Sequence, residues 1–147
     1  MSPYKSKTLA TWIALFGGSL GLHRFYLYGP RDIWGWLWPA PTLLGAYGVQ
    51  RVLKLGQDDQ LAWLLVPLLG LALASAMLAA IVYGLMPDER WNARFNPSGR
   101  AHHAGWSVVF AVVLSLLVGA TVLMSTIAFS GQRYFEYQIE EGRKISQ

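Results

Sequence analysis

The stretch Gly17-Gly18-Ser19-Leu20-Gly21-Leu22-His23-Arg24-Phe25-Tyr26-Leu27 closes the first apolar segment of the chain. Small, aromatic and charged residues converge here within a single apolar segment. On a continuous helix, Gly17 and Gly21 would share one stripe with Arg24, and Tyr28 would extend it. The spacing therefore predicts a groove into which a second helix packs, with a cation at the end of the groove.

The composition places the chain among integral membrane proteins. Of its 147 residues, 54% are apolar and only 14% are charged, against about 45–50% and about 25% in soluble domains. The absence of cysteine excludes disulfides and thiolate metal sites. The net charge of +4 is spread along the chain, so nucleic acid is not an expected partner. The expected partner is the lipid bilayer, and attraction to anionic lipid head groups accounts for the positive charge.

Gaps between charged residues predict four transmembrane helices. Leu61 to Met86 and Trp106 to Phe129 are uncharged and long enough to cross a hydrocarbon core of about 30 Å. The second segment is the least regular, because Pro39 and Pro41 favour a kink, and a re-entrant helix is an alternative there. The expected spans are 8–28, 33–54, 60–86 and 105–130.

We therefore predict an all-α, polytopic protein built as two helical hairpins. The first hairpin comprises residues 1–59, and the second comprises residues 60–130 with an amphipathic loop at 87–105. Residues 131–147 form a polar C-terminal tail that continues the fourth helix. We recognise no internal repeat between the two hairpins.

Aromatic and basic residues mark the expected membrane interfaces. One group opens the second span, and another lies in the loop, where a short amphipathic helix on the membrane surface is predicted. A ligand-binding loop is the alternative for the second group. The interfacial residues are Trp34, Trp36, Trp38, Arg90, Trp91 and Arg94.

The first hairpin resembles a known family over roughly residues 5 to 55. A basic Lys5-Ser6-Lys7 precedes an apolar run, then the pattern Gly-Gly-x-x-Gly-x-His-Arg-Phe-Tyr-Leu, then Gly35. This arrangement is similar to the TM-two domain, in which two transmembrane helices are joined by a short loop that carries the motif. The motif residues are Gly17, Gly18, Gly21, His23, Arg24, Phe25 and Tyr26.

The resemblance implies location and architecture, because the family has no settled biochemical activity. Animal members carry Asp-Arg-Phe where this chain has His23-Arg24-Phe25, and they place the motif loop in the cytoplasm. The chain departs from the family in two ways. Tyr28 precedes the glycine that usually follows Tyr-Leu directly, and Tyr47 to Arg51 lacks the acid that ends the second helix in many members.

The residues do not indicate an enzyme. His23 has no Ser, Asp or Glu at helical spacing that would form a nucleophile–base pair. His102 and His103 are neighbours that would face apart on a helix, and no third metal ligand follows. No cofactor is expected. We predict a non-enzymatic membrane protein that acts by helix packing with itself or with a membrane partner, and the alternative is a small oligomeric channel or transporter.

Asp32 is the nearest carboxylate in sequence that could pair with Arg24, but the residues alone favour the alternative that Arg24 anchors the hairpin to the lipid head groups. With four spans, both termini would lie on one side, together with seven of the twelve basic residues. The positive-inside rule then favours cytoplasmic termini, and the bacterial inner membrane is the expected location. The seven are Lys5, Lys7, Arg51, Lys54, Arg133, Arg143 and Lys144.

Overall fold

The computed structural model describes residues 4–97 and 99–146, and the regular elements of these residues are all helices. The elements are α1 (Lys7–Gly17), a 3-10 helix (Gly18–Leu20), α2 (Leu22–Tyr28), α3 (Ile33–Leu37), α4 (Pro39–Leu55), α5 (Gln60–Leu85), α6 (Asp88–Phe95) and α7 (Trp106–Ile145). α3 and α4 follow one helical course, because Trp38 between them keeps a right-handed helical conformation with φ −59° and ψ −37°.

Short polar side chains start three of the helices. Ser6, Asp32 and Asp59 each accept a backbone N–H from the first turn of α1, α3 and α5 respectively. Such caps satisfy donors that have no partner within the helix.

The first predicted span is wrong, because residues 8–28 do not form one helix. α1 ends at Gly17, and Gly21 takes a left-handed conformation with φ +76°, which reverses the chain. α2 then runs back beside α1, and the Tyr26 hydroxyl accepts the backbone N–H of Ser6 at 2.8 Å. The expected stripe through Gly17, Gly21 and Arg24 therefore does not exist.

α5 is the central helix, and two shorter elements divide one side of it between them. α1 lies along its C-terminal half, where Thr11 is close to Gly84 and Gly18 contacts Ala76. α4 lies along its N-terminal half, where Gly45 contacts the backbone of Leu69. α7 packs against α5 along most of its length.

Two helices are long and apolar enough to cross a membrane, namely α5 and α7. They correspond to the predicted spans 60–86 and 105–130. α7 continues as one helix to Ile145, so the prediction that the tail prolongs the fourth helix is confirmed. In their most apolar windows only 28% of the α5 residues and 17% of the α7 residues are buried, so many of their apolar side chains keep exposed surface within the described chain.

The described N-terminal and C-terminal segments, beginning at Tyr4 and ending at Ser146, lie at opposite ends of the molecule, contrary to expectation. The backbone N–H of Lys5 donates to Asn96 at 2.8 Å, which places the N-terminal segment beside α6. At the other end, Arg133 of α7 donates to Gln57 at 2.8 Å. We call the first the α6 end, which includes the turn at residues 29–32. We call the other the second-turn end, after the turn at residues 56–59.

Close packing of α4 on α5 predicts a large effect of one methyl group. A Cβ atom on Gly45 would lie 2.3 Å from the Leu69 backbone nitrogen, so Gly45→Ala should cost about 1–3 kcal/mol in stability. Gly131 is helical with open space around it, so Gly131→Ala should instead gain about 0.5–1 kcal/mol. Thermal unfolding in detergent compares the two variants, and equal melting temperatures would contradict this packing.

Candidate functional site

An arginine–aspartate pair closes the first turn, at the end of the motif. Arg24 on α2 donates through Nε to Asp32 Oδ2 at 2.6 Å and through Nη2 to Oδ1 at 3.2 Å. The same Asp32 oxygen caps α3 by accepting the Gly35 N–H at 3.0 Å. The pair therefore joins α2 to the start of α3, and Arg24 contacts its nearest candidate carboxylate, whereas the expectation favoured from the residues alone was a lipid head group.

A second pair of the same kind closes the second turn. Arg51 on α4 donates to both oxygens of Asp59 at 2.7 and 2.8 Å. Asp59 also caps α5 through the Ala62 N–H at 3.1 Å. No role was expected for this pair from the sequence, although both arginines precede their aspartates by eight residues. We call each pair, together with the helix cap made by its aspartate, a clasp.

The clasps hold both aspartates in the charged form. The hydrogen bond from Arg24 lowers the pKa of Asp32 below its usual range, and the hydrogen bond from Arg51 does the same for the pKa of Asp59. Both carboxylates are largely covered, at 13% and 14% exposure. Each clasp is thus a neutral, two-point link that leaves little free charge for binding another ion.

The motif glycines make three different contacts and do not form one groove. A Cβ on Gly17 would meet the side chain of Leu22 at 2.5 Å, and a Cβ on Gly18 would meet Ala76 on α5 at 2.7 Å. A Cβ on Gly21 would lie 2.5 Å from the carbonyl oxygen of Gly35. The glycines therefore allow close approach of α2, α5 and α3 at a single bend.

The aromatic residues of the motif stabilise the fold-back. Phe25 packs edge-on against Trp36 with ring centroids 5.2 Å apart and lies over Gly35. Tyr26 connects back to the N-terminus, because its hydroxyl accepts from Ser6 and its carbonyl oxygen accepts from the Lys5 ammonium. The Tyr26 contacts hold α2 beside α1 as it runs back toward the N-terminal segment.

His23 is buried at 2% exposure between α2, α3–α4 and α5. Its ring meets Trp38 edge-to-face at 5.8 Å and Tyr83 at 5.8 Å. In the described part of the chain, His23 Nδ1 and Trp38 Nε1 are buried without a hydrogen-bond partner. The His23 ring thus fills an aromatic compartment.

The expected interfacial residues divide between surface and core. Trp34 and Trp36 are exposed at 64% and 68%, whereas Trp38 is half-buried. Arg90 and Arg94 point outward from α6. Trp91 departs from the prediction, because it is completely buried.

Trp91 is buried because the N-terminal segment covers α6. Its indole N–H donates to the carbonyl oxygen of Lys5 at 2.9 Å, and its ring packs on Phe95 at 4.5 Å. Lys7 pairs with Asp88 at 2.6 Å and donates to the carbonyl of Met86 at 2.8 Å. The apolar face of α6 therefore packs within the protein.

His102 belongs to the same N-terminal contact. Its Nδ1 and Nε2 lie 2.7 Å from the hydroxyl of Tyr4 and 3.3 Å from that of Thr8. Over residues 4–97 and 99–146, no group of three metal-ligating side chains occurs. Burial lowers the pKa of His102, while the nearby Asp88 opposes the shift.

The charge of the chain is concentrated at the α6 end. That end carries seven basic and three acidic side chains, whereas the second-turn end carries five of each, so the net charge of +4 lies entirely at the α6 end. The basic residues at the α6 end are Lys5, Lys7, Arg24, Arg31, Arg90, Arg94 and Arg100. Those at the second-turn end are Arg51, Lys54, Arg133, Arg143 and Lys144.

No family model matches the chain, and comparisons with curated proteins and with solved structures find no match. The resemblance of residues 5 to 55 to the TM-two domain stays a prediction.

The geometry of the clasps predicts that replacing either clasp arginine by lysine lowers the melting temperature to a similar extent. Lysine offers one ammonium where arginine makes two parallel bonds, so Arg24→Lys and Arg51→Lys should both lower the melting temperature in detergent. Their effects should be similar, because the two arginine side chains are 24% and 25% exposed. Arg31→Lys is the matched control in an exposed position, and a loss at Arg31 equal to the other two would argue against the clasps.

Protonation of His102 should loosen the N-terminal segment. The folded-state pKa of His102 lies below the ordinary 6.5. The contribution of His102 to the stability of the fold is therefore complete above pH 6.5 and is lost as the pH falls through the folded-state pKa. Amide protection factors of Lys5 and Ser6 should therefore fall between about pH 7.5 and about pH 5. His102→Ala should remove this pH dependence and His103→Ala should retain it, so an unchanged profile in His102→Ala would refute the assignment.

Proposed function

We propose that this chain is a small, non-enzymatic integral membrane protein that acts by helix packing, either with itself or with another membrane protein. The observation that carries the proposal is the exposed apolar surface of α5 and α7, whose most apolar windows are only 28% and 17% buried. A core helix of a soluble protein buries such a surface, whereas here lipid or a partner helix has to cover it.

The crossing arrangement that we propose has three spans and one re-entrant hairpin, in place of the four spans expected from the sequence. α5 and α7 are two of the spans. The continuous course of α3 and α4 is the third, because residues 33–55 reach about 34 Å at helical rise, and the stretch from Ile33 to Gln50 is uncharged. α1 and α2 enter the bilayer together from the α6 end and return to it.

A re-entrant hairpin is tolerated in lipid only where the protein covers its irregular backbone. This condition is met at the bend, because Gly17, Gly18 and Gly21 are all buried. The Ser19 carbonyl oxygen also accepts the Thr42 hydroxyl at 2.6 Å. These contacts support the placement of the bend at membrane depth.

The charge distribution supports an orientation with the α6 end in the cytoplasm. Cytoplasmic segments of membrane proteins carry an excess of Lys and Arg, and seven of the twelve lie at the α6 end. The N-terminus would then be cytoplasmic and the C-terminus would face the opposite side. The resemblance to the TM-two domain implies the same orientation for the motif, and the bacterial inner membrane remains the compartment that we expect.

Fractionation and crosslinking test this function. The chain should stay in the membrane pellet after alkaline carbonate extraction, because its apolar helices are embedded in lipid. A photo-crosslinking residue at Leu117, which is 61% exposed on α7, should capture a second copy or another membrane protein. The matched control is Ile145, which is 85% exposed at the end of the tail.

Three results would count against the proposal. Release of the chain by carbonate would remove the membrane assignment. Lipid adducts alone at Leu117 would remove the packing role. Ion flux through liposomes that contain the purified protein would favour the channel alternative.

A further inference from the structure

A spaced pattern recurs along the chain at an interval of 27 residues. The pattern is Gly-x2-Gly-x2-Arg-x4-Gly-x2-Asp-x3-Trp, in which the arginine and aspartate are those of the clasps. The pattern ends at a tryptophan, four residues after each clasp aspartate. Its first occurrence is Gly18, Gly21, Arg24, Gly29, Asp32 and Trp36, and its second is Gly45, Gly48, Arg51, Gly56, Asp59 and Trp63.

The equivalent tryptophans and turn glycines adopt the same geometry. Trp36 donates its indole N–H to the carbonyl of Pro30 at 2.9 Å, and Trp63 donates to that of Gln57 at 2.7 Å. Each acceptor is the residue after the turn glycine. Gly29 and Gly56 end their helices in matching conformations, with φ and ψ of 87° and 176° in one and 92° and 178° in the other.

The inner glycine of each copy also has an equivalent neighbour. A Cβ on Gly21 would lie 3.0 Å from the Cβ of Trp38, and a Cβ on Gly48 would lie 2.6 Å from the Cβ of Leu65. Trp38 and Leu65 are themselves 27 residues apart. In both copies, therefore, the glycine before the arginine packs against the helix that follows the turn.

The two turns lie at opposite ends of the molecule. The first is beside α6, because Tyr28 accepts a hydrogen bond from Arg94 at 3.1 Å. The second is beside the C-terminal part of α7, where Arg133 donates to Gln57. The unit consists of a segment that approaches one end of the molecule and a turn at that end. Because the chain reverses its direction at each turn, the second copy is inverted relative to the first.

We infer that residues 18–37 and 45–64 are two copies of one structural unit, placed in opposite orientations, with a clasp at each membrane face. The inference rests on the proposed membrane embedding. Arg24, Asp32, Arg51 and Asp59 are then positioning residues, because each pair fixes where a helix meets a turn at the bilayer boundary. No internal repeat was expected from the two hairpins, and the two copies lie instead around the two turns.

Cysteine accessibility tests the inversion, because the natural chain has no cysteine. Arg31→Cys and Asp58→Cys occupy equivalent, exposed positions in the two turns. A membrane-impermeant maleimide applied to intact cells should label Asp58→Cys, and it should label Arg31→Cys only after the membrane is permeabilised. The reverse assignment also supports the inversion while contradicting the proposed orientation.

Two further variants calibrate the labelling. Gly99→Cys lies in the loop after α6 and should behave as Arg31→Cys does, whereas Ser146→Cys follows α7 and should behave as Asp58→Cys does. Labelling of both turns from the same side, or of neither turn after permeabilisation, overturns the inverted repeat. Carbonate extraction of the same cells separates the two proposals, since release of the chain overturns the membrane function itself.

Discussion

Close backbone approach to α5 is the constraint on which the rest of this fold depends. α5 presents one long side that no single neighbouring helix covers, so α1 and α4 divide it at mid-length. The approach is close in both halves, since a Cβ on Gly18 would meet Ala76 at 2.7 Å and one on Gly45 would meet the Leu69 nitrogen at 2.3 Å. Because α1 stops halfway along α5, the chain has to return before α3 and α4 can begin, and the fold-back follows from this division.

The two copies of the repeated unit differ in the backbone conformation of the glycine that precedes the arginine. Gly48 stays within the straight helix α4, whereas Gly21 turns left-handed and bends the chain. Pro39 has no N–H, so it leaves the Gly35 carbonyl without its helical donor, and Gly21 lies against that oxygen. Tyr26 then secures the bent form through Ser6, and its equivalent in the straight copy, Leu53, has no hydroxyl to do so.

The sequence was sufficient to predict those features of the fold that depend on a single residue property. Uncharged length identified α5 and α7, and proximity along the chain made Asp32 the nearest candidate partner of Arg24 without deciding between it and a lipid head group. It was insufficient where two conformations satisfied the same pattern. Gly17 and Gly21 at a spacing of four suit a straight helix as well as a bend, and only the contacts with Ser6 and Gly35 distinguish the two.

Burial of α6 was also beyond the sequence, for a related reason. Trp91 and Phe95 four residues apart predict an apolar face, but the pattern does not say whether lipid or protein covers it. The cover comes from Lys5, which is far away in sequence and bonds the Trp91 indole. The repeat was difficult to recognise because its shared residues are separated by positions that differ freely between exposed and buried surroundings.

The two ends of the molecule differ more in how far their basic side chains are paired with acidic ones than in the number of basic side chains. At the second-turn end, acids neutralise Arg51, Arg133 and Lys144. At the α6 end the clasp and the Lys7–Asp88 pair are neutral, and the basic residues on and around α6 outnumber the remaining acids. A membrane potential acts on the resulting net charge of +4 with roughly 9 kcal/mol per 100 mV, if the α6 end crosses the full field. An energy of this size supports the orientation proposed above, with the α6 end on the negative, cytoplasmic side, and the neutral clasp at the second turn is consistent with the proposed crossing of that turn.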